Sequence, residues 1–243
     1  MPEMNLSGQV GDLSKGFKMR SKYLKIKEAK IMKDKVSASV INRLPRYFRY
    51  LGELLEHGTR RISSKALSEK MNITASQIRQ DLNCFGGFGQ QGYGYNVQNL
   101  YDEIAKILGL QNKKTAILVG VGNMGRAVVL NTNFKKRGFS LIGIFDSDPR
   151  KIGKKVGDYE VLDFAGIDEF FKKHRPEMAI LTVSRTAVNS VAQKLESLGI
   201  KAFLNFSYAE LLTSDDVVAE NIHLSDSLMR LSYKMTEKEK IAP

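Results

Sequence analysis

The stretch from Thr115 to Pro149 decides the fold, and it reads TAILVGVGNMGRAVVLNTNFKKRGFSLIGIFDSDP. Its first apolar run predicts a strand, the glycine-rich segment after it a turn, and the Ala/Val/Leu-rich segment a helix. A second apolar run, from Leu141 to Phe145, predicts another strand, which ends at Asp146. Strand, glycine turn, helix, strand and acid in this order indicate a dinucleotide-binding α/β unit.

Each position of the glycine turn has a physical role in such a site. Gly120 permits the tight turn, Gly122 lets the backbone approach a pyrophosphate, and Gly125 lets the helix pack closely on the strand. Asp146 follows at about the distance, roughly 20 residues, at which a carboxylate binds the ribose hydroxyls of NAD. The predicted cofactor-binding residues here are Gly120, Val121, Gly122, Asn123, Met124, Gly125 and Asp146. The alternative is a plain structural turn, because glycine turns join strands to helices in many α/β proteins.

Strand and helix patterns continue to alternate beyond Asp146, which predicts a parallel sheet with right-handed crossovers. Val183 and Ser184 follow the predicted strand Met178–Thr182 and should lie at the carboxyl edge of the sheet, where ligands bind. They complete the predicted cofactor-binding set. The last helix, from about Ser225 to Lys238, is amphipathic and could pack on its own domain or on a second subunit.

Positive charge is concentrated at the start of the chain. The net charge is +12, with nine Lys/Arg against four Asp/Glu in residues 1–35 and eight against four in residues 36–85. Such asymmetry favours a polyanionic partner, most often nucleic acid. A solvated basic surface is the alternative. Residues 1–35 lack a sustained periodic pattern and are predicted to be a flexible tail.

The segment after Val36 predicts a helix-turn-helix. A short helix after Ser63 is followed by a turn, and Thr74 with Gln77 forms a capping-box pattern that opens a helix from Ala75 to about Phe85. Its polar side carries Ser, Gln, Asn and Arg, which match base edges and phosphates. The predicted DNA-binding residues of this region are Arg46, Ser76, Gln77, Arg79, Gln80 and Asn83. A polar solvent face on a small helical domain is the alternative.

Glycines and aromatic residues alternate from Gly86 to Tyr95, which predicts a β-hairpin directly after the recognition helix. A hairpin in this place is a wing. Its tip carries Gln90 and Gln91, which we expect to enter a neighbouring minor groove and to contact DNA. Asn96 then caps a further helix.

Other parts of the sequence narrow the class of protein. No apolar stretch approaches the roughly 20 residues that cross a bilayer, and the first 35 residues lack the apolar segment of a secretory signal. The single cysteine, Cys84, excludes an internal disulfide and a cysteine zinc site, and a reducing cytoplasm is the expected location. We expect no metal. Cys84 is predicted to be buried and inert rather than a thiol sensor.

A winged helix joined to a dinucleotide-binding domain resembles the Rex family of bacterial redox-sensing transcriptional repressors. The resemblance covers about residues 36–238. The segments that carry it are RLPRYFRYLGELLEHG (Arg43–Gly58), ISSKALSEKMNITASQIRQDLNCFGGFGQQGYGYNV (Ile62–Val97), VGVGNMGRAV (Val119–Val128), FDSDPRKIG (Phe145–Gly153) and LNFS (Leu204–Ser207). It implies a homodimer that binds a palindromic operator in double-stranded DNA, senses the NADH/NAD⁺ ratio and releases DNA when NADH binds. It also implies that the C-terminal helix is swapped between subunits.

The predicted fold class is α/β, with an N-terminal winged helix-turn-helix domain, a Rossmann-like parallel-sheet domain and a C-terminal helix. The predicted divisions are a basic tail (1–35), a DNA-binding domain (36–110), an NAD(H)-binding domain (115–224), and a helix and tail (225–243). A non-enzymatic repressor is favoured, because no acid/base residue suited to hydride transfer follows the strand Met178–Thr182. The alternatives are an NAD-dependent dehydrogenase with an appended basic domain, and a repressor that senses another nucleotide or a coenzyme A-like ligand.

Overall fold

The computed structural model describes residues 36–85, 89–90 and 93–241, and the side chains of 89, 90 and 241 are not described. The chain separates into two compact units, Met1–Gly109 and Leu110–Pro243, and each is described by itself. The predicted tail, residues 1–35, lies outside the described residues. So do Gln91 and the side chain of Gln90 at the predicted wing tip.

The first unit is helical with a small antiparallel sheet. Its helices are α1 (Ala38–Glu56), α2 (Ser64–Met71), α3 (Ala75–Asn83) and α4 (Val97–Ile107). Its strands are β1 (Arg61–Ile62), β2 (Gly89–Gln90) and β3 (Gly94–Asn96), and β3 lies between the other two. The pairing of β2 with β3 confirms the predicted hairpin. Strand β1 is too short to show a periodic pattern in the sequence, and it forms by pairing with β3.

The helix boundaries follow from side-chain caps. The side chains of Ser37, Ser63, Thr74 and Asn96 each accept a hydrogen bond from a backbone N–H three residues later. Such caps satisfy a donor that the first helical turn would otherwise leave unpaired. The turn between α2 and α3 passes through Asn72 in the left-handed conformation, which asparagine tolerates better than most residues.

The core of the first unit lies where α1, the helix-turn-helix and α4 meet. Leu44 and Leu51 of α1 are fully buried, as are Leu67 of α2 and Ile78 of α3. The Phe48 ring stacks on the Tyr101 ring of α4 with centroids 4.3 Å apart. Because α2 and α3 each present one apolar side to this core, the opposite side of α3 is left facing solvent.

The second unit is built on one seven-stranded sheet. Its strands are β4 (Lys114–Val119), β5 (Phe139–Asp146), β6 (Lys155–Val156), β7 (Tyr159–Asp163), β8 (Met178–Leu181), β9 (Ala202–Asn205) and β10 (Val218–Asn221). Their order is β10-β9-β8-β4-β5-β7-β6, and every pair is parallel except β6 with β7. The predicted fold class is thereby confirmed. In such a sheet the crevice outside the carboxyl ends of the central strands is the usual ligand site.

Four helices accompany these strands: α5 (Asn123–Asn131), α6 (Ile167–Lys173), α7 (Val188–Ser197) and α8 (Leu224–Ile241). Buried residues form two apolar clusters, one that includes Ile117, Phe145 and Leu195, and another that includes Leu118 and Ile144. Neighbouring residues of β4 and β5 thus enter different clusters, as alternation along a strand requires. Among the described residues, no helix is both long and apolar enough to span a membrane.

Candidate nucleotide site and nucleic-acid interface

The glycine turn between β4 and α5 is closed by backbone geometry that only glycine fits. Gly120 has φ of +98°, and a Cβ there would stand 2.7 Å from the carbonyl oxygen of Thr182. A Cβ at Gly125 would collide with the carbonyl oxygen of Gly120. The Thr182 hydroxyl donates to that same Gly120 oxygen over 2.6 Å. Two of the glycines therefore serve the turn itself, and Thr182 holds it against the end of β8.

Gly122 differs from the other two glycines of the turn. It is the N-cap residue of α5, and a Cβ added there meets no described atom within 4 Å. Packing within the unit does not require glycine at this position, so the open space in front of it is available to a ligand. The exposed N–H groups at the start of a helix attract an anion. Asn123 and Met124 begin α5 beside this space, and this arrangement fits a pyrophosphate.

Asp146 ends β5 and is 7% exposed. One carboxylate oxygen accepts from the Val121 N–H over 2.7 Å, and the other from the Asp148 N–H over 2.9 Å. The Lys151 ammonium lies 2.9 Å from the first oxygen. Burial raises the pKa of Asp146, but Lys151 and the two backbone donors outweigh it, so the pKa lies below its usual value. A stably ionised carboxylate at the strand end is the group that accepts hydrogen bonds from ribose hydroxyls.

A cavity of about 220 Å³ lies beside the glycine turn. Val121, Gly122 and Asn123 form its wall on the turn side, and Val156 and Val161 form an apolar wall. Its remaining lining is basic and consists of Arg126, Arg150, Lys151 and Lys154. An apolar wall beside cationic groups suits the adenosine and phosphate portions of a nucleotide. The sequence pattern did not single out the four basic residues, although Lys151 lies only five positions after Asp146.

The structure brings most of the predicted nucleotide-site residues together. The side chain of Val183 packs against Gly120, where an added Cβ would be 2.8 Å from its Cγ1. Ser184 comes next, and its hydroxyl lies 3.0 Å from that of Thr186. Both residues follow β8 at the carboxyl edge, as expected from the sequence. Thr182 was not singled out there, because a threonine ending a strand has no distinctive pattern.

The predicted DNA-binding residues divide into two groups in the first unit. Ser76, Gln80 and Asn83 are exposed on α3. In contrast, Arg46 donates to the Met71 carbonyl oxygen over 2.6 Å, and Arg79 donates to the Ser64 hydroxyl over 3.1 Å. These two arginines tie α1 and α3 to α2. They hold the helix-turn-helix together, whether or not they also reach phosphates.

Gln77 has an internal partner that the sequence did not suggest. Its amide nitrogen donates to the Asp81 carboxylate over 2.8 Å, one turn further along α3. Asp81 is 0% exposed, and it also accepts from Arg43 and Tyr47 of α1. The capping-box pattern is therefore only half realised: the Thr74 hydroxyl accepts from the Gln77 N–H, but the Gln77 side chain is directed to Asp81. An aspartate among polar residues of a short helix reads as a surface residue, which is why the sequence missed Asp81.

The hairpin stem and Cys84 are two further features of the first unit. At the stem of the hairpin, Tyr95 is buried, while the Arg61 guanidinium lies 5.8 Å from the centre of the exposed Tyr93 ring. Cys84, expected to be buried, is exposed, because it keeps the helical conformation two positions after the buried Leu82 and so points to nearly the opposite side of α3. Within the described residues, no group of three or more His, Cys, Asp or Glu could hold a metal ion.

Two family models match the chain, in the same order as the two units. A model described as putative DNA-binding protein N-terminus matches residues 35–83, and one described as CoA binding domain matches residues 111–209. Proteins named redox-sensing transcriptional repressor Rex are similar over most of the chain. The one from Thermoanaerobacter pseudethanolicus is 52% identical, covering 85% of this chain and 92% of that protein. The one from Caldicellulosiruptor saccharolyticus is 49% identical, covering 85% and 94%.

Solved structures agree with these relatives. The chain is similar to the crystal structure of RSP in complex with β-NAD⁺ and operator DNA, with a TM-score of 0.75 and 51% identity over 85% of this chain and 95% of that chain. It is also similar to RSP in complex with β-NADH, with a TM-score of 0.74 and 48% identity over 85% and 97%. RSP is described as a Rex-family repressor.

Proposed function

The chain belongs to the Rex family of redox-sensing transcriptional repressors, and we propose that it represses transcription by binding a palindromic operator and releases that operator when NADH binds. One observation carries the proposal. A helix-turn-helix with an exposed polar face and a glycine turn that ends on a buried, ionised Asp146 occur in the same chain. A related repressor has been crystallised with NAD⁺ and operator DNA, and also with NADH.

We assign the nucleotide to the carboxyl edge of the second unit. The start of α5 and the space before Gly122 would hold the pyrophosphate, and Asp146 would accept from the adenosine ribose. Val121 and Asn123 shape the turn side of the site. Val183 and Ser184, after β8, would lie further along the same edge, toward the nicotinamide. The sensed ligand is the NADH/NAD⁺ pair, whose members differ only in the charge and shape of the nicotinamide ring.

We assign operator contact to the exposed face of α3 and to the hairpin. Ser76, Gln80 and Asn83 are the side chains free of the helix-turn-helix packing, and Gln and Asn match the adenine edge in the major groove. Gln90 and Gln91 at the hairpin tip remain a prediction for minor-groove contact. The basic N-terminal third of the chain would add sequence-independent attraction to phosphates.

A palindromic operator requires two copies of the chain, with recognition helices about one DNA turn, roughly 34 Å, apart. The exposed apolar residues of α8 support a homodimer, because Leu228, Leu231 and Met235 would be covered by a second copy. The dimer has a DNA-binding state and a nucleotide-closed state. A ligand shifts this balance only by its differential affinity, and a nearly complete shift needs about 5.5 kcal/mol.

We further propose that the nucleotide is read and not consumed, and that the protein acts in the cytoplasm. The relatives are named repressors rather than enzymes, and DNA is the partner that this assignment requires. Among the described residues of the second unit, the histidines are His174 and His223, and they lie at the end of α6 and just before α8. Neither position follows β8, where an acid/base residue for hydride transfer would be expected.

A coenzyme A-like ligand is the second candidate. Two observations favour it: the description of the matching family model and the four basic residues that line the cavity, which could neutralise an extra phosphate. The ionised Asp146 argues for NADH instead, since a carboxylate there repels a ribose phosphate. Competition between NADH and coenzyme A for the full-length protein distinguishes the two.

The deciding experiment measures operator affinity against the NADH/NAD⁺ ratio. The wild-type protein would first select its palindrome from a pool of random duplexes, and binding would then be followed by fluorescence anisotropy. We expect operator affinity to fall by more than about tenfold as NADH replaces NAD⁺, which corresponds to about 1.4 kcal/mol of coupling. Identical affinity at every ratio would contradict the sensing function.

A further inference from the structure

A closed hydrogen-bond network joins the recognition helix to α1. The Arg43 guanidinium donates two hydrogen bonds to the two carboxylate oxygens of Asp81, over 2.6 and 2.7 Å. The Tyr47 hydroxyl donates to one of the same oxygens over 2.9 Å, and the Gln77 amide to the other over 2.8 Å. All donors are side chains. Two come from a helix that is distant in sequence, so the network fixes α3 against α1.

Because Asp81 is buried, its hydrogen bonds fix the orientation of the groups that it joins. A fully buried carboxylate is tolerated only when it is paired and hydrogen-bonded, and a bidentate arginine allows one orientation of the two groups. Burial raises the pKa of Asp81, yet the hydrogen bonds from Arg43, Gln77 and Tyr47 lower it further than burial raises it. The carboxylate is therefore ionised at neutral pH, and α3 cannot rotate or slide without leaving it unpaired.

The network also separates two glutamines on one helix. Gln77 is partly buried and donates its amide to Asp81, whereas Gln80, three positions later, is exposed. The sequence placed both among the predicted DNA-binding residues. The Gln77 amide has two N–H donors, and the one donated to Asp81 fixes the orientation of the amide. To align its remaining donor and its oxygen with an adenine edge, Gln77 would have to give up the bond to the buried Asp81.

We propose that Asp81 is the positioning residue of the recognition helix, and that Gln77 serves Asp81 and reads no base, leaving Gln80 as the base-reading glutamine. The inference rests on the proposed operator binding. It assigns different roles to the candidate DNA-contacting residues. Asp81 orients the helix through Arg43 and Tyr47, and specificity comes from the exposed side chains that this orientation presents.

An electrostatic role and a positioning role of Asp81 predict opposite effects of Asp81→Asn on operator affinity. Removing a negative charge near DNA should strengthen binding if electrostatics alone acts. If Asp81 positions the helix, the variant should lose operator affinity by at least about tenfold, while its affinity for a scrambled duplex stays equal or rises. Glu69→Gln, at an exposed position of α2, removes the same charge and is the control, and it should leave operator preference unchanged. A merely unfolded first unit would lose both affinities, which circular dichroism of the full chain would also register.

The two glutamines provide the sharper test, because the same substitution is made on the same helix. Each variant of the full chain, Gln77→Ala and Gln80→Ala, is measured against the palindrome selected by the wild type and against its single-base-pair variants. Gln77→Ala should weaken binding a few-fold at every variant and lower the melting temperature. Gln80→Ala should relax preference at one base pair of each half-site and leave the melting temperature unchanged.

The failures are distinguishable. If the wild-type protein enriches no duplex, the proposed function is overturned and this inference with it. If the wild type discriminates but Asp81→Asn keeps full operator preference, only the positioning role is overturned. If Gln77→Ala relaxes one base-pair position, Gln77 reads a base and the division between the glutamines is wrong.

Discussion

Two buried aspartates, one in each unit, show how the same residue type is used in different ways. Asp81 is surrounded by side chains that all belong to its own unit, and it is sealed from solvent. Asp146 is held by two backbone N–H groups and by Lys151, whose side chain is itself 38% exposed. Both carboxyls have a pKa below the usual value. Both are therefore ionised, and Asp146 pairs with Val121 and Lys151, two residues that line the cavity.

The two carboxylates differ in whether a ligand can replace one of their hydrogen-bond partners. Asp81 receives four hydrogen bonds from fixed partners, so it offers nothing to a ligand and serves orientation. Asp146 keeps a partly exposed cationic partner, Lys151, at the cavity wall, and a ribose hydroxyl could replace or join it. A buried, ionised group thus indicates a binding site only when one of its partners is exchangeable.

The backbone of the nucleotide site should be the most sensitive feature. In Gly125→Ala the new Cβ would collide with the Gly120 carbonyl oxygen. We expect NADH affinity to fall by roughly a hundredfold and the second unit to melt earlier, because overpacking that moves backbone costs about 1–3 kcal/mol. Calorimetric titration with NADH and a melting curve check this.

Gly122→Ala is the matched control for that change. Its Cβ meets no described atom, so the fold should be unaffected while NADH binding weakens, since the methyl group enters the space assigned to the pyrophosphate. Unchanged NADH affinity in Gly122→Ala would place the ligand elsewhere.

Removing the charge of the Asp146 carboxylate should have the next largest effect on NADH affinity. Asp146→Asn should weaken NADH binding by about tenfold, because a hydrogen bond to a charged group contributes about 1.5–3 kcal/mol. Operator release should then need correspondingly more NADH. Asp148→Asn makes the same change two residues away, at a carboxylate that accepts from Arg150 rather than from the Val121 N–H of the glycine turn, and it should lower the affinity less. Equal effects of the two variants would argue against a specific ribose contact at Asp146.

The smallest effect concerns acid stability. Because both carboxyl groups have a folded pKa below the unfolded value of about 3.9, their stabilising contribution is complete above that pH. It is lost as the pH falls through the folded pKa. Melting temperatures between about pH 7 and 3 should therefore decline less steeply in Asp81→Asn and in Asp146→Asn than in the wild type.

Added salt should change the stabilising contributions of the two aspartates to different extents. The Lys151–Asp146 pair reaches solvent and should be screened, whereas the Arg43–Asp81 pair is more enclosed. Added salt should therefore reduce the effect of Asp146→Asn more than that of Asp81→Asn. A steeper acid decline in either variant would mean that the carboxyl group is not stabilised in its ionised form.

Much of the architecture was predictable because its signals are local. The glycine turn from Gly120 to Gly125, the strand that ends at Asp146 and the caps at Thr74 and Asn96 depend on residues near one another in sequence. The confirmed predictions are the fold class and the family, and the related repressor RSP has been crystallised with NAD⁺ and with NADH. The individual site residues and the domain limits remain predictions. Strand β1 was missed because it forms by pairing with β3, which is distant in sequence. The exposure of Cys84 was missed because it depends on which side of the end of α3 packs on the core.

The sequence by itself determined the kind of site, because a glycine turn and a strand-end acid are covalent neighbours whose spacing sets their geometry. It also placed polar residues on the recognition helix. Only the tertiary structure decided which of these residues are free. Gln77 and Gln80 have the same side chain on the same helix, and they differ because folding brings Asp81, Arg43 and Tyr47 together at one buried point. Long-range packing assigns partners, and partners decide what a polar side chain can still bind.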